Sequence, residues 1–148
     1  MSTYVVRVAD LDSIGTRAAY LLWALRESVF VVEQQCVYQD LDGRDLEPGT
    51  RHVWVVDAEE DPDVPVGYLR VLDDGDRARI GRVLVAPGHR GHGLAGVLMR
   101  AALDVVGDRP VVLSAQSHLA QWYARFDFER AGDDFIEDGI PHTPMRRG

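Results

Sequence analysis

Arg82-Val-Leu-Val-Ala-Pro-Gly-His-Arg-Gly-His-Gly-Leu-Ala95 is the stretch on which the fold turns. Its first half continues a run that begins at Ala78 and reads as a strand to Ala86. Its second half opens a helix predicted over Gly91 to Val106, with Leu94, Val97, Leu98, Ala101 and Val105 along one face. Backbone N–H groups at a helix start lack partners within the helix and favour anions. Gly91 and Gly93 carry no Cβ, so a phosphate can approach the main chain closely. His89, Arg90 and His92 add local positive potential. A diphosphate suits this turn; a glycine turn that only reverses the chain is the plainer alternative.

Gly91-His-Gly-Leu-Ala-Gly96 also satisfies the dinucleotide-binding pattern G-x-G-x-x-G. Three observations weigh against a nicotinamide site. Roughly half the chain precedes the turn, whereas such turns normally follow a domain's first strand. Pro87 to Arg90 separate the strand from the glycines. The next strand, Pro110 to Ala115, runs into Gln116 rather than the acid that would hold a ribose.

Outward from this turn, Thr3 to Ala9 alternates as a strand, and Asp10 or Asp12 can cap a helix reaching about Arg26. Ser28 to Cys36 is apolar but holds Glu33, and Asp40 to Gly49 is a polar loop. His52 to Asp57, Val66 to Leu72 and Ala78 to Ala86 make a three-strand meander, with Glu59 to Pro65 as a loop. After the helix come the strand Pro110 to Ala115, parallel to its predecessor by a crossover, and a short helix over Ser117 to Arg125. Phe128 to Ile136 and Ile140 to Arg147 form a final pair of strands around Asp138-Gly139. The 148 residues hold no repeat and no linker, which predicts one domain over 1–148.

Bulk properties narrow the function. Hydrophobic residues make up 46% of the chain, enough for a core without disulfides, and Cys36 is the only cysteine. With no basic-then-apolar leader and no apolar run near ~20 residues, a cytoplasmic protein without membrane spans is expected. Net charge is −8, from 24 acids against 16 bases, and every base is arginine. That balance argues against nucleic-acid binding, which requires phosphate neutralisation, and is compatible with a cationic substrate. No cysteine or carboxylate completes a metal site with His89 and His92, so no metal is expected.

The segment Val85 to Ala95 resembles motif A of the GCN5-related N-acetyltransferase (GNAT) superfamily, Q/R-x-x-G-x-G/A, with Arg90, Gly93 and Ala95 at the defining positions. Gln116 to Phe128 is similar to that superfamily's motif B, with Tyr123 at the tyrosine and Phe128 at the terminal aromatic. Gln116 replaces the usual asparagine, and Asp127 replaces a glycine. Val29-Phe-Val-Val-Glu-Gln34, Tyr38-Gln-Asp-Leu-Asp-Gly43, Arg51-His52, Ile80-Gly-Arg-Val83, Ala115-Gln116 and Glu137-Asp-Gly-Ile-Pro-His142 resemble the ElaA-like subgroup.

The resemblance implies an α/β fold: a mixed, mostly antiparallel sheet of about six to seven strands with helices on both faces and strands four and five parallel and splayed. It implies an acyltransferase that passes an acetyl group from acetyl-CoA to a primary amine by direct attack in a ternary complex. The alternative is a catalytically weak CoA-binding module of the same fold, because the glutamate many relatives carry on strand four is missing from Arg79-Ile-Gly-Arg82. By resemblance, Val83, Leu84 and Val85 pair with pantetheine, and Arg90, Gly91, His92, Gly93, Leu94 and Ala95 take the pyrophosphate. Gln116 and Tyr123 complete the cofactor site, with Tyr123 hydrogen-bonding or protonating the leaving sulfur. For the base, Glu33 comes first, since a carboxylate in an apolar stretch is costly unless used or paired. His52 comes second, and His142 and His118 are further candidates. The acceptor is a small-molecule or peptide amine, and exposed C-terminal edge strands leave room for a homodimer.

Overall fold

The computed structural model describes residues 2–148. One sheet runs through it in the order β1 (Tyr4–Ala9), β2 (Arg51–Asp57), β3 (Asp61–Asp73), β4 (Ala78–Val85), β5 (Val111–Gln116), β8 (Ile140–Arg147) and β6 (Glu129–Arg130), with β7 (Phe135–Glu137) also pairing β8. Only β4 and β5 are parallel. Helices α1 (Leu11–Ile14) and α2 (Thr16–Arg26) cover one face, and α3 (Leu94–Val106) and α4 (Ala120–Ala124) the other.

Alternation in the meander sorts side chains between two cores. Val53, Val55, Leu69 and Val71 meet Leu94, Leu98, Met99 and Ala102 of α3. Trp54, Val56 and Tyr68 meet Leu22 of α2. Gly67 lets α3 lie close: a Cβ there would come 2.9 Å from Val55 Cγ1 and 3.2 Å from Leu98 Cδ1.

Strand β4 breaks the alternation. Tyr68 pairs with Leu84 and Arg70 with Gly81, so Leu69 faces two residues, Arg82 and Val83. That extra residue is a β-bulge, and Arg82 carries it at a φ of 55°. A left-handed arginine costs on the order of 1–3 kcal/mol, which its surroundings must offset. Ile80 accordingly lies in the core under α3 and Leu84 in the core under α2, although they are four positions apart, an even spacing that would otherwise put them on one face.

Several elements differ from the sequence expectations. The first helix breaks at Gly15, whose φ is 89°, leaving α1 capped by Asp10, which accepts from Ser13 N at 2.9 Å. Residues Glu27–Glu33 wind as a π-helix. β3 starts at Asp61, taking in most of the expected loop Glu59 to Pro65. The helix expected from Gly91 begins at Leu94 because Gly91 and Gly93 are both left-handed. The expected strand Phe128 to Ile136 is two short pieces, so the sheet has eight strands rather than six or seven. At the following hairpin, Asp138 and Gly139 both take positive φ, as a two-residue type I′ turn requires. No helix among the described residues is long and apolar enough to cross a membrane.

Candidate active site

β4 and β5 pair only at Ala78–Val111 and Arg79–Val112. Beyond these they part, and the edge of β4 from Ile80 to Val85 has no partner on the β5 side. A cleft of about 560 Å³ opens in the gap. Ile80 to Val83 line one wall, Leu113, Ser114 and Gln116 the other, and Tyr123 of α4 and Glu137, Asp138, Ile140 and His142 of the β7–β8 hairpin also line it.

At the outer end of β4 the chain makes a 3-10 turn over Pro87–His89 and enters α3 through Gly91 and Gly93. Gly93 is the N-cap and offers no side-chain acceptor to the first N–H groups. A Cβ added at Gly88, Gly91 or Gly93 would meet nothing within 4 Å, so open space surrounds all three. Uncapped N–H groups beside that space fit a diphosphate, and the unpaired β4 edge fits an extended amide chain. His89 and His92 pack around Tyr4 beneath this loop.

Arg90 reaches back along the surface from the loop. Its Nε donates to Val85 O at 2.9 Å, and its two terminal nitrogens each donate to a Glu33 oxygen at 2.8 Å. The Arg90 hydrogen bonds hold the Glu33 carboxyl below its ordinary range. Glu33 therefore joins the π-helix to the glycine loop and is absent from the cleft lining, whereas Phe30 and Gln34 beside it are present.

His52 is fully buried. Its Nδ1 lies 2.6 Å from Tyr68 Oη, its Nε2 lies 3.4 Å from Asp45 O, and Trp23 packs on its ring. Burial pushes its pKa down, keeping it neutral. It does not line the cleft; its place on β2, one position inside the strand start, aims it at Trp23 of α2. His118, in a 3-10 turn over Ser117–Leu119, is also outside the lining.

Tyr123 is 6% exposed, and its hydroxyl has no hydrogen-bond partner among the described residues. Burial alone pushes its pKa up to about 12. The phenol thus keeps its proton and can donate it as a hydrogen bond into the cleft.

Beneath the bulge lies an element that sequence patterning leaves hidden. Arg26, Arg70 and Arg82, from α2, β3 and β4, converge on Asp40, Asp42 and Asp45 of a single loop. Arg26 donates to Asp40 Oδ2 at 3.0 Å and to Asp45 Oδ1 at 2.8 Å, and Arg70 grips both Asp42 oxygens. Arg82 Nε lies 2.8 Å from Asp40 Oδ1, an ion pair too bent to be a hydrogen bond, since neither atom has a hydrogen-bond partner. The Arg82 guanidinium also rests 4.9 Å above the Tyr38 ring. These contacts offset the strain of the bulge. The signal was present as three arginines and three aspartates of unlike spacing, which no local period connects.

The acetyltransferase (GNAT) domain family model matches residues 22–147. A UPF0039 protein of Mycobacterium tuberculosis is 47% identical over 143 residues, 93% of this chain and 87% of that protein. Protein ElaA of Escherichia coli is 42% identical over 145 residues, 92% of this chain and 91% of its own. The crystal structure of Escherichia coli ElaA superposes with a TM-score of 0.88 at 36% identity, covering 100% of both chains. An acyl-CoA N-acyltransferase from Pseudomonas aeruginosa superposes at 0.90 with 37% identity, covering 99% and 100%. At the level of fold alone, an aminoglycoside 6'-N-acetyltransferase complexed with coenzyme A superposes at 0.70 with 13% identity, covering 95% and 96%.

Proposed function

Because the chain belongs to the GNAT acetyltransferase domain family, with ElaA among its relatives, we propose that it transfers the acetyl group of acetyl-CoA to a primary amine by direct attack in a ternary complex. The observation that carries this reading is the parting of β4 from β5. The unpaired β4 edge, set off by the Arg82 bulge, borders the cleft that Tyr123 lines, and at its outer end the strand continues into the glycine loop.

Main-chain groups of Val83, Leu84 and Val85 take the pantetheine amides, and an N–H beside the bulge donates to the thioester oxygen as it becomes an oxyanion. The N–H groups from Gly91 through Ala95 take the pyrophosphate, with His92 alongside. Arg90 shapes this loop through Glu33 and Val85 O rather than by reaching outward. Gln116, at the end of β5, lines the wall opposite β4. The amine nitrogen attacks the thioester carbon, the C–S bond breaks, and Tyr123 donates to the departing sulfur. A phenol raised to about 12 is a weak acid toward a thiolate of ~8.5. Its part is therefore chiefly a hydrogen bond in a dry site, with the proton following as the sulfur's charge peaks. The surplus proton on the new amide nitrogen restores the Tyr123 hydroxyl through solvent.

The test follows thiol release from acetyl-CoA with ethylamine, spermidine and an Ala-Gly peptide. Tyr123→Phe should lower kcat by about 10- to 100-fold while calorimetry shows unchanged acetyl-CoA affinity. Acetyl-CoA binding without thiol release from any of the three amines would instead favour a CoA-binding module without transferase activity.

A further inference from the structure

A primary amine reaches a thioester as an ammonium at neutral pH, so the transfer proposed above needs a proton acceptor on the amine's side of the cleft. The acidic side chains there are poorly suited. Asp42 is held by both Arg70 nitrogens, whose hydrogen bonds drive its carboxyl far below the ordinary range. Glu137 and Asp138 sit at the exposed tip of the β7–β8 hairpin. Glu33 is locked to Arg90 and His52 is sealed within the sheet's α2 face.

Of the five histidines, His142 alone lines the cleft. It sits on β8 between two cross-strand partners, Gln116 of β5 and Phe135 of β7. Its ring stacks on Phe135 at 5.6 Å between centroids and 20° between planes. Its Nδ1 lies 2.8 Å from Ile140 O. A carbonyl oxygen can only accept, so Nδ1 carries the hydrogen and Nε2 of the neutral ring presents a lone pair. The strand's own backbone thus sets the tautomer, and Phe135 holds the ring plane.

Resting on the transferase reading, we infer that His142 is the general base of this site. Its Nε2 takes one proton from the acceptor ammonium. The freed nitrogen lone pair then forms the C–N bond, and His142 passes its proton to solvent. Glu137 and Asp138, at the tip of the same hairpin, draw the cation toward it. The other titratable or charged groups lining the cleft are Tyr123 from α4, Tyr38, Cys36, whose thiol is pushed up by burial and by those two carboxylates, and three arginines each tied to an aspartate, Arg70 and Arg82 to Asp42 and Arg79 to Asp74. β5 presents only the neutral Gln116 to it.

His142→Asn retains a donor for Ile140 O and removes the base. With ethylamine at neutral pH, kcat should fall about 10²- to 10⁴-fold. Hydroxylamine, largely unprotonated at neutral pH, should show a much smaller loss in His142→Asn. Long-range proton–nitrogen spectra of the unliganded protein should show His142 protonated at Nδ1. An ethylamine rate within twofold of wild type, equal losses with both nucleophiles, or a ring protonated at Nε2 would overturn the assignment. So would weakened acetyl-CoA binding by the variant in calorimetry, which would move His142 to the donor site or the fold. Wild-type protein that binds acetyl-CoA yet acetylates neither nucleophile would overturn the transferase reading itself, and this assignment with it.

Discussion

Glu33 and His52 each carry a titratable group, and in each the surroundings oppose proton pick-up. The Glu33 carboxylate is stabilised by Arg90, so it holds a proton less well than an ordinary glutamate. Glu33→Gln should leave kcat unchanged and weaken acetyl-CoA binding by no more than a few-fold, as Arg90 loses its anchor; steady-state kinetics beside calorimetry separates the two effects. His52 bears on stability instead. Its folded pKa lies below the unfolded ~6.5, because burial disfavours the imidazolium. As pH falls through ~6.5 the unfolded chain binds more protons than the folded one, so stability is lost on acidification. Urea midpoints at pH 7.5 and 5.5 should fall further for the wild type than for His52→Gln.

At the scale of elements, the strand–loop–helix unit from β4 into α3 carries the proposed donor site. Gly93→Glu would set a carboxylate beside the α3 N–H groups and strain a φ of 75°; calorimetry should find no acetyl-CoA binding, while the circular dichroism spectrum stays native. This unit was legible in the sequence because glycine spacing and an apolar helix face are local signals. So was the β2–β3–β4 meander, whose alternation is a period of two. The bulge at Arg82 was not: an arginine gives no hint of a left-handed backbone, and only pairing with β3 exposes the extra residue. The break at Gly15 and the division of Phe128 to Ile136 were missed for a related reason. A helical period tolerates one glycine, and a strand's interruption depends on where its partner ends. Among the candidate residues, the motif singled out Tyr123, which lines the cleft. The seclusion of His52 was not, because its burial comes from Trp23 and Tyr68, distant in sequence.

Across the whole molecule, three arginines and three aspartates join α2, β3, β4 and one loop into a neutral set. Such a set is weak evidence for net stability, yet breaking it from one side leaves uncompensated buried charge. Arg26 is 0% exposed, so Arg26→Ala should destabilise by about 3–5 kcal/mol in urea denaturation. Because Asp40 then loses one of its two guanidinium partners, the same variant should also bind acetyl-CoA more weakly at temperatures where it remains folded.

The geometry of the cleft is written partly in the length of β4. Arg82 and Val83 together oppose Leu69, and this surplus residue turns Leu84 toward α2 and leaves Ile80 under α3. No exchange of one side chain for another removes a surplus residue. Substitutions along β4 can therefore accumulate while the bulge persists, whereas loss of a single codon between Gly81 and Leu84 would exchange the two cores' claims on the strand. Over descent, the site is guarded less by residue identity at this point than by the reading frame's count.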